Sequence, residues 1–252
     1  MPHVTDLFSP EMLDHRLPKT AQVYALLRSA IVSMRLEPGE VLSERDICQQ
    51  LEISRTPLRE AVLQLASEKL VLIRPNARTH VAPIRLVDIL EGQLIRETAE
   101  LRCIRLAARF FEPKWEDAFE TLFLRKQSAL ARKESEEFYA LDEAFHHQIC
   151  ECSGYPNLWQ VFDGSKGQLD RIRRLAFPMQ DHFSEVINEH RAIYGAIRSR
   201  DEVGAESMML EHMDSIFETL EILMQTKRDL LIEHLAESDM RDIAAAYRRK
   251  VR

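Results

Sequence analysis

The sequence predicts a mainly α-helical chain of two unequal parts. A short helix-turn-helix unit with a two-stranded hairpin comes first, and an antiparallel bundle of six or so helices follows. Three observations predict this. Residues 43–65 read as two short amphipathic helices around a tight turn. Two runs rich in β-branched residues come next, joined by a basic tip. From Leu86 onward, almost every window repeats its apolar residues three and four apart, with few Gly or Pro breaks.

Residues 1–17 read as a flexible arm. Residues 20–34 form a helix whose Val23, Leu26, Leu27, Ala30 and Ile31 pack beneath the next two. The first of that pair turns Ile47 and Leu51 inward. Leu51, Glu52 and Ile53 make the turn, and the Ser54 hydroxyl is placed to cap the second helix. Pro57 sits in the first turn of that helix, where a missing N–H costs little. Leu58, Ala61, Val62 and Leu65 make its buried stripe, and Arg55, Thr56 and Arg59 stay outside. Such a helix start meets base edges and phosphates in a major groove. Helix pairs are common, however, and an arginine near a helix start is usually only solvated. Residues 70–73 and 79–82 decide in favour of DNA, because a hairpin with a basic tip after a helix-turn-helix makes a winged helix.

With these elements in view, residues 20–82 resemble the DNA-binding domain of the GntR family of bacterial transcription regulators. The matching strings are Leu36-Glu37-Pro38-Gly39-Glu40, Leu42-Ser43-Glu44-Arg45 and Ser54-Arg55-Thr56-Pro57-Leu58-Arg59-Glu60-Ala61, with the leucine-containing run to Val71. The resemblance implies DNA contacts at Arg45, Ser54, Arg55, Thr56 and Arg59, and at the wing tip through Asn76 and Arg78. Two departures stand out. Met34 occupies a position usually held by Gly, and Ala77 and Arg78 stand where the wing tip usually has one.

A chain of 252 residues, 45% of them apolar and only seven glycine, can bury a sizeable core as one large or two ordinary domains. The net charge is −7, yet residues 1–82 carry ten basic and ten acidic side chains, so the rest holds the whole excess. Within residues 54–80 five basic side chains face two acidic ones. That local surplus can neutralise phosphates while the remainder limits indiscriminate binding. No run approaches the ~20 apolar residues of a membrane span, and the N-terminal stretch is no signal peptide. The four cysteines lack metal or redox spacing and read as reduced. A cytoplasmic protein with no membrane partner is expected.

The domain limits read as 18–83 for DNA binding and 84–226 for the helical domain, with a C-terminal extension at 227–252. Helices fall near 86–110, 115–132, 135–152, 156–175, 183–199 and 202–226. The third carries Asp142 and His146, one turn apart, on its Phe138, Leu141, Phe145, Ile149 stripe. The fifth places His190 with Val186, Ile187, Ile193, Tyr194 and Ile197. The sixth places His212 with Ala205, Met208, Met209, Ile216, Leu220 and Leu223. Each histidine alone reads as a core residue bonded to a neighbour. Together with a buried carboxylate, costly unless a cation offsets it, they read as a metal site. One oxygen and three imidazole nitrogens suit zinc first, with nickel, manganese or iron as alternatives, and do not suit calcium.

Residues 86–222 also resemble the effector-binding domain of the FadR subfamily of GntR regulators. The matching strings are Arg96 with Ala99-Glu100, Leu106-Ala107-Ala108, Leu141-Asp142 with Phe145-His146, Glu189-His190 with Ile193, and His212-Met213. The resemblance implies a metal on Asp142, His146, His190 and His212, and a small carboxylate effector held by nearby arginines. Arg96 and Arg102 are the candidates, with Arg171, Arg173 and Arg174 as a further cluster; guanidinium forks match carboxylates. The expected function is a ligand-responsive regulator, a repressor, bound as a homodimer to a near-palindromic double-stranded operator. The alternative is a metal-dependent hydrolytic enzyme or a metal sensor using the same Asp/His site. No catalytic residue is assigned. No His-Glu-x-x-His is present, and Glu189 lies off the His190 stripe.

Overall fold

A computed structural model of the chain describes residues 7–74, 78–176, 180–226 and 242–248. The N-terminal unit is built from α1 (Lys19–Val32), β1 (Val41–Leu42), α2 (Glu44–Gln50), α3 (Arg55–Ser67), β2 (Val71–Leu72) and β3 (Thr79–Val81). Its core joins Val23, Leu27 and Ile31 of α1 to Ile47 of α2, the stripe Leu58, Ala61, Val62 and Leu65 of α3, and Val81 of the wing. The stripe positions expected from spacing are therefore buried, except Leu26 of α1, which is half-buried against the same core.

Three details differ from expectation. The wing sheet has three antiparallel strands in the order β1-β3-β2, not two. At two residues, β1 is too short to show any alternation. The Ser54 hydroxyl makes no capping bond, whereas Ser43 accepts from the Asp46 N–H at 3.4 Å and caps α2. The supposed arm is partly anchored: Phe8 and Leu13 are buried against the same core, and residues 10–12 form a 3-10 turn. Met34 has φ 61°, the left-handed region where glycine is unstrained. Its side chain packs instead against the core of the helical domain.

The second unit contains α4 (Leu86–Arg109), α5 (Glu116–Arg132), α6 (Ser135–Cys152), α7 (Leu158–Asp163), α8 (Gly167–Ala176), α9 (Gln180–Arg198) and α10 (Glu202–Thr226). The helix expected over 156–175 is two helices broken at Gly164 and Ser165. The break crosses close over α4. A Cβ at Gly92 would stand 2.9 Å from the Ser165 carbonyl oxygen, so only glycine admits this approach. Helix α4 is central and packs against α6, α8, α9 and α10. Residues 242–248 are helical and return to the domain, burying Ala244 and Tyr247 in its core, with Arg248 3.3 Å from Asp214.

Polar contacts tie the two units. The Arg28 guanidinium of α1 donates to the Asp163 carbonyl at 2.8 Å and pairs with Glu68 at 3.2 Å. Arg171 donates to the Ala82 carbonyl at 2.8 Å, and Gln168 to that of Lys69 at 2.6 Å. None of the described helices is long and apolar enough to cross a membrane.

Candidate metal and effector centre and the DNA-binding face

Arg55, Thr56 and Arg59 are exposed on the first turn of α3, and Arg45 is exposed on α2. Ser54 is exposed at the start of α3, and Arg78 beside the wing. Asn76 lies outside the described residues. Arg59 pairs only loosely with Glu44, at 3.4 Å between two solvated side chains, so it is free to engage a phosphate or base.

Within the bundle, Asp142, His146, His190 and His212 are all buried. The three histidines each offer a ring nitrogen within 4.8 Å of the others. His190 Nε2 lies 3.2 Å from His212 Nε2 and 3.5 Å from Asp142 Oδ1. Stripes on α6, α9 and α10 thus converge, although Met208, expected on the α10 stripe, is exposed beside the buried Met209.

Each imidazole has a partner behind it. His146 Nδ1 donates to Glu100 Oε2 at 2.6 Å, and His212 Nδ1 donates to Glu189 Oε2 at 2.6 Å. A carboxylate in that position fixes the ring proton on Nδ1 and leaves Nε2 as a lone pair facing inward. Arg96 binds Glu100 through Nε at 2.5 Å and donates to His146 Nε2 from Nη2 at 2.9 Å. Behind His190 stands a lysine. The fully buried Lys126 Nζ lies 2.8 Å from His190 Nδ1 and 2.9 Å from Asp142 Oδ1.

Asp142 is therefore not the unpaired carboxylate that its place on an apolar stripe suggested. Lys126 takes one oxygen, and Arg173 Nη2 donates to the other at 2.7 Å. Burial pushes the Asp142 carboxyl up, but Lys126 and Arg173 outweigh it and hold the group well below the usual carboxylate range. Burial pulls Lys126 down from the ordinary lysine value, with Asp142 opposing. Burial likewise lowers His146 to about 4, with Glu100 opposing, and holds His190 well below the ordinary imidazole value. His146 and His190 are thereby kept neutral, as ligands must be.

Arg96 and Arg173 line one small cleft with His212, Ser215 and Thr219. Arg102 does not take part. It is exposed on α4, on the side facing Glu202, because its position falls off the buried Arg96 face. Within the arginine cluster, Arg173 reaches the centre, Arg171 bonds the interdomain Ala82 carbonyl, and Arg174 pairs with Glu136. Lys126 was not anticipated. Its signal was its place on the α5 stripe with Phe119, Phe123 and Ala129, where a charged residue is out of pattern.

Two family models match the chain. The model for bacterial regulatory proteins of the gntR family matches residues 19–81, and that for the FCD domain matches residues 93–215. A regulator from Streptomyces ambofaciens is 31% identical over 201 residues, covering 79% of this chain and 84% of the relative. The chain belongs to the GntR family.

As a GntR regulator it is also similar to the transcriptional repressor RspR of Escherichia coli K12, 29% identical over 86% of this chain and 95% of the relative. The gluconate operon repressor of Bacillus subtilis is 24% identical over 89% and 94%. A solved structure of E. coli McbR/YncC superposes with a TM-score of 0.72, at 23% identity, over 83% of this chain and 98% of that one, and so shares the fold. These relatives are transcription regulators, which sets aside the hydrolytic enzyme. Glu189 is accounted for without catalysis: it orients His212.

Proposed function

We propose that this GntR regulator is a repressor that binds a near-palindromic operator as a homodimer and responds to a small organic acid held in its FCD domain. The observation that carries the effector reading is the convergence of Arg96, Arg173 and His212 on one cleft, beside a histidine cluster. Two guanidinium forks suit a compact carboxylate, and the cleft, about 10 Å³ in volume with Val186, Met213 and Ile216 on its apolar side, has no room for a long acyl chain.

The donor set fits a divalent ion in part. His146 and His212 are held with lone pairs inward, and His190 and Asp142 stand beside them. Zinc is the ion of choice, and when bound it would add an open position for an effector oxygen. The same residues would serve a metal sensor. Response to a carboxylate at saturating zinc separates the two readings.

The residues between cleft and DNA-binding unit form a continuous ionic chain. Arg173 faces Asp142 and Glu143. Glu143 pairs with Lys166, Lys166 with Asp170 at 2.7 Å, and Asp170 lies 3.9 Å from Arg28 of α1. An effector carboxylate that draws Arg173 away from Asp142 loosens this chain at its first link and changes how α1 sits on the bundle. Selection of random duplex DNA on the purified protein tests the reading. The expected product is one enriched, near-palindromic sequence bound by two chains. Enrichment of no sequence, or binding by a single chain, would contradict it.

A further inference from the structure

The three histidines are not equivalent. His146 and His212 each have a carboxylate at Nδ1, Glu100 and Glu189, both at 2.6 Å. At His190 the same position is taken by the Lys126 ammonium, at 2.8 Å. A carboxylate accepts, so its imidazole carries the proton on Nδ1 and presents a lone pair at Nε2. An ammonium has three donors and no acceptor, so His190 Nδ1 must accept and the ring proton lies on Nε2. That Nε2 points inward, 3.2 Å from His212 Nε2, and donates to it. The same ammonium holds Asp142 Oδ1 at 2.9 Å, the oxygen nearest His190. It is fully buried and lies over the Phe138 and Phe145 rings, at 5.1 and 5.8 Å from their centroids.

We propose that Lys126 governs whether this centre takes a metal ion. It holds His190 in the tautomer that cannot ligate and occupies the Asp142 oxygen a fourth ligand would supply. The inference rests on the reading of the centre as metal-compatible and goes beyond it. His146 and His212 hold the ligating tautomer, their Nε2 lone pairs accepting from Arg96 Nη2 and His190 Nε2, whereas Lys126 holds both remaining ligands, sharing Asp142 with Arg173. Loading requires Arg96 to turn from His146 Nε2 and Lys126 to withdraw from both His190 and Asp142, and Lys126, which touches no ion, is the group that frees two ligands at once. Such groups behind a ligand shift metal affinity by roughly 10–100-fold.

The test compares zinc affinity, by competition with a chromophoric chelator, in the parent, Lys126→Met, Lys126→Gln and Lys126→Arg. Only chains with native circular dichroism are compared. Lys126→Gln keeps a donor for Asp142 and guards against a Met variant that does not fold. Met and Gln are expected to bind zinc roughly tenfold tighter or more, and Arg no tighter than the parent. Long-range 1H–15N NMR of the zinc-free parent should show His190 protonated at Nε2, and His146 and His212 at Nδ1. The proposal is overturned by Met and Gln variants that bind zinc no tighter than a zinc-binding parent, or by a parent His190 protonated at Nδ1. Zinc binding by none of the four proteins overturns the metal reading itself. Binding only after Lys126 is replaced supports the proposal most strongly.

Discussion

In the winged unit, Arg55, Thr56 and Arg59 come from one turn of one helix and stand in solvent. In the bundle, Lys126, Asp142, His146, Arg173, His190 and His212 come from five helices and lie buried or nearly so. The first group is nearly independent of the fold energetically, because its charges are hydrated and the one ion pair among them, Arg59 with Glu44, is solvated. The second is part of the fold, because each charge there is stabilised only by its neighbours. Changes on the DNA face should therefore cost binding and spare stability, whereas changes in the centre should cost both.

Arg173→Met is expected to have the largest effect. It leaves Asp142 paired only with Lys126, and losing one partner of a buried pair costs about 3–5 kcal/mol. Urea unfolding measures this, and a loss below about 1 kcal/mol would show that Asp142 is not held by Arg173 as described.

Acid comes next. The folded His146 pKa, about 4, lies below its ordinary 6.5, so the unfolded chain takes up the proton first. Stability is thus fully present above about 6.5 and is lost as pH falls toward 4, on the order of 3 kcal/mol from this residue. Melting temperatures across that window check the sign; a flat profile would mean that a compensating group titrates upward.

On the other side of the comparison, Arg55→Ala or Arg59→Ala should weaken operator binding by about 1–3 kcal/mol each, enough to abolish a gel shift at working concentrations, with an unchanged melting temperature. Parent-like binding would remove α3 as the reading helix. The smallest effects separate two serines. Ser43→Ala should cost about 1 kcal/mol of stability as a lost cap, and Ser54→Ala almost none, since its hydroxyl caps nothing.

This difference in construction also decides what could be read from the sequence. The exposed first turn of α3 was legible because its residues are contiguous and its helix periodicity unambiguous. The four predicted ligands were legible because each sits on a stripe with period 3.6, and convergence of stripes needs no knowledge of crossing angles. What pairs with them was not. Glu100, Glu189, Lys126 and Arg173 lie on other helices or off the stripes, so their contacts depend on helix rotation. The absence of a partner for Asp142 was inferred from its own helix alone, and two cations from α5 and α8 supplied one. Arg102 failed for the converse reason: it shares a helix with Arg96 but not a face. The break between α7 and α8 depends on a close crossing over Gly92, a contact 73 residues away in the chain from Ser165.

The central claim is that the buried cleft governs the exposed helix. Fluorescence anisotropy on the selected duplex tests it most directly, with a panel of two- to six-carbon hydroxy- and dicarboxylates at saturating zinc, for the parent and Arg96→Met. At least one carboxylate should change the DNA affinity of the parent roughly tenfold, within the usual range of coupling between sites, and leave the variant unmoved. DNA affinity indifferent to every carboxylate, or shifted equally in both proteins, would contradict the account.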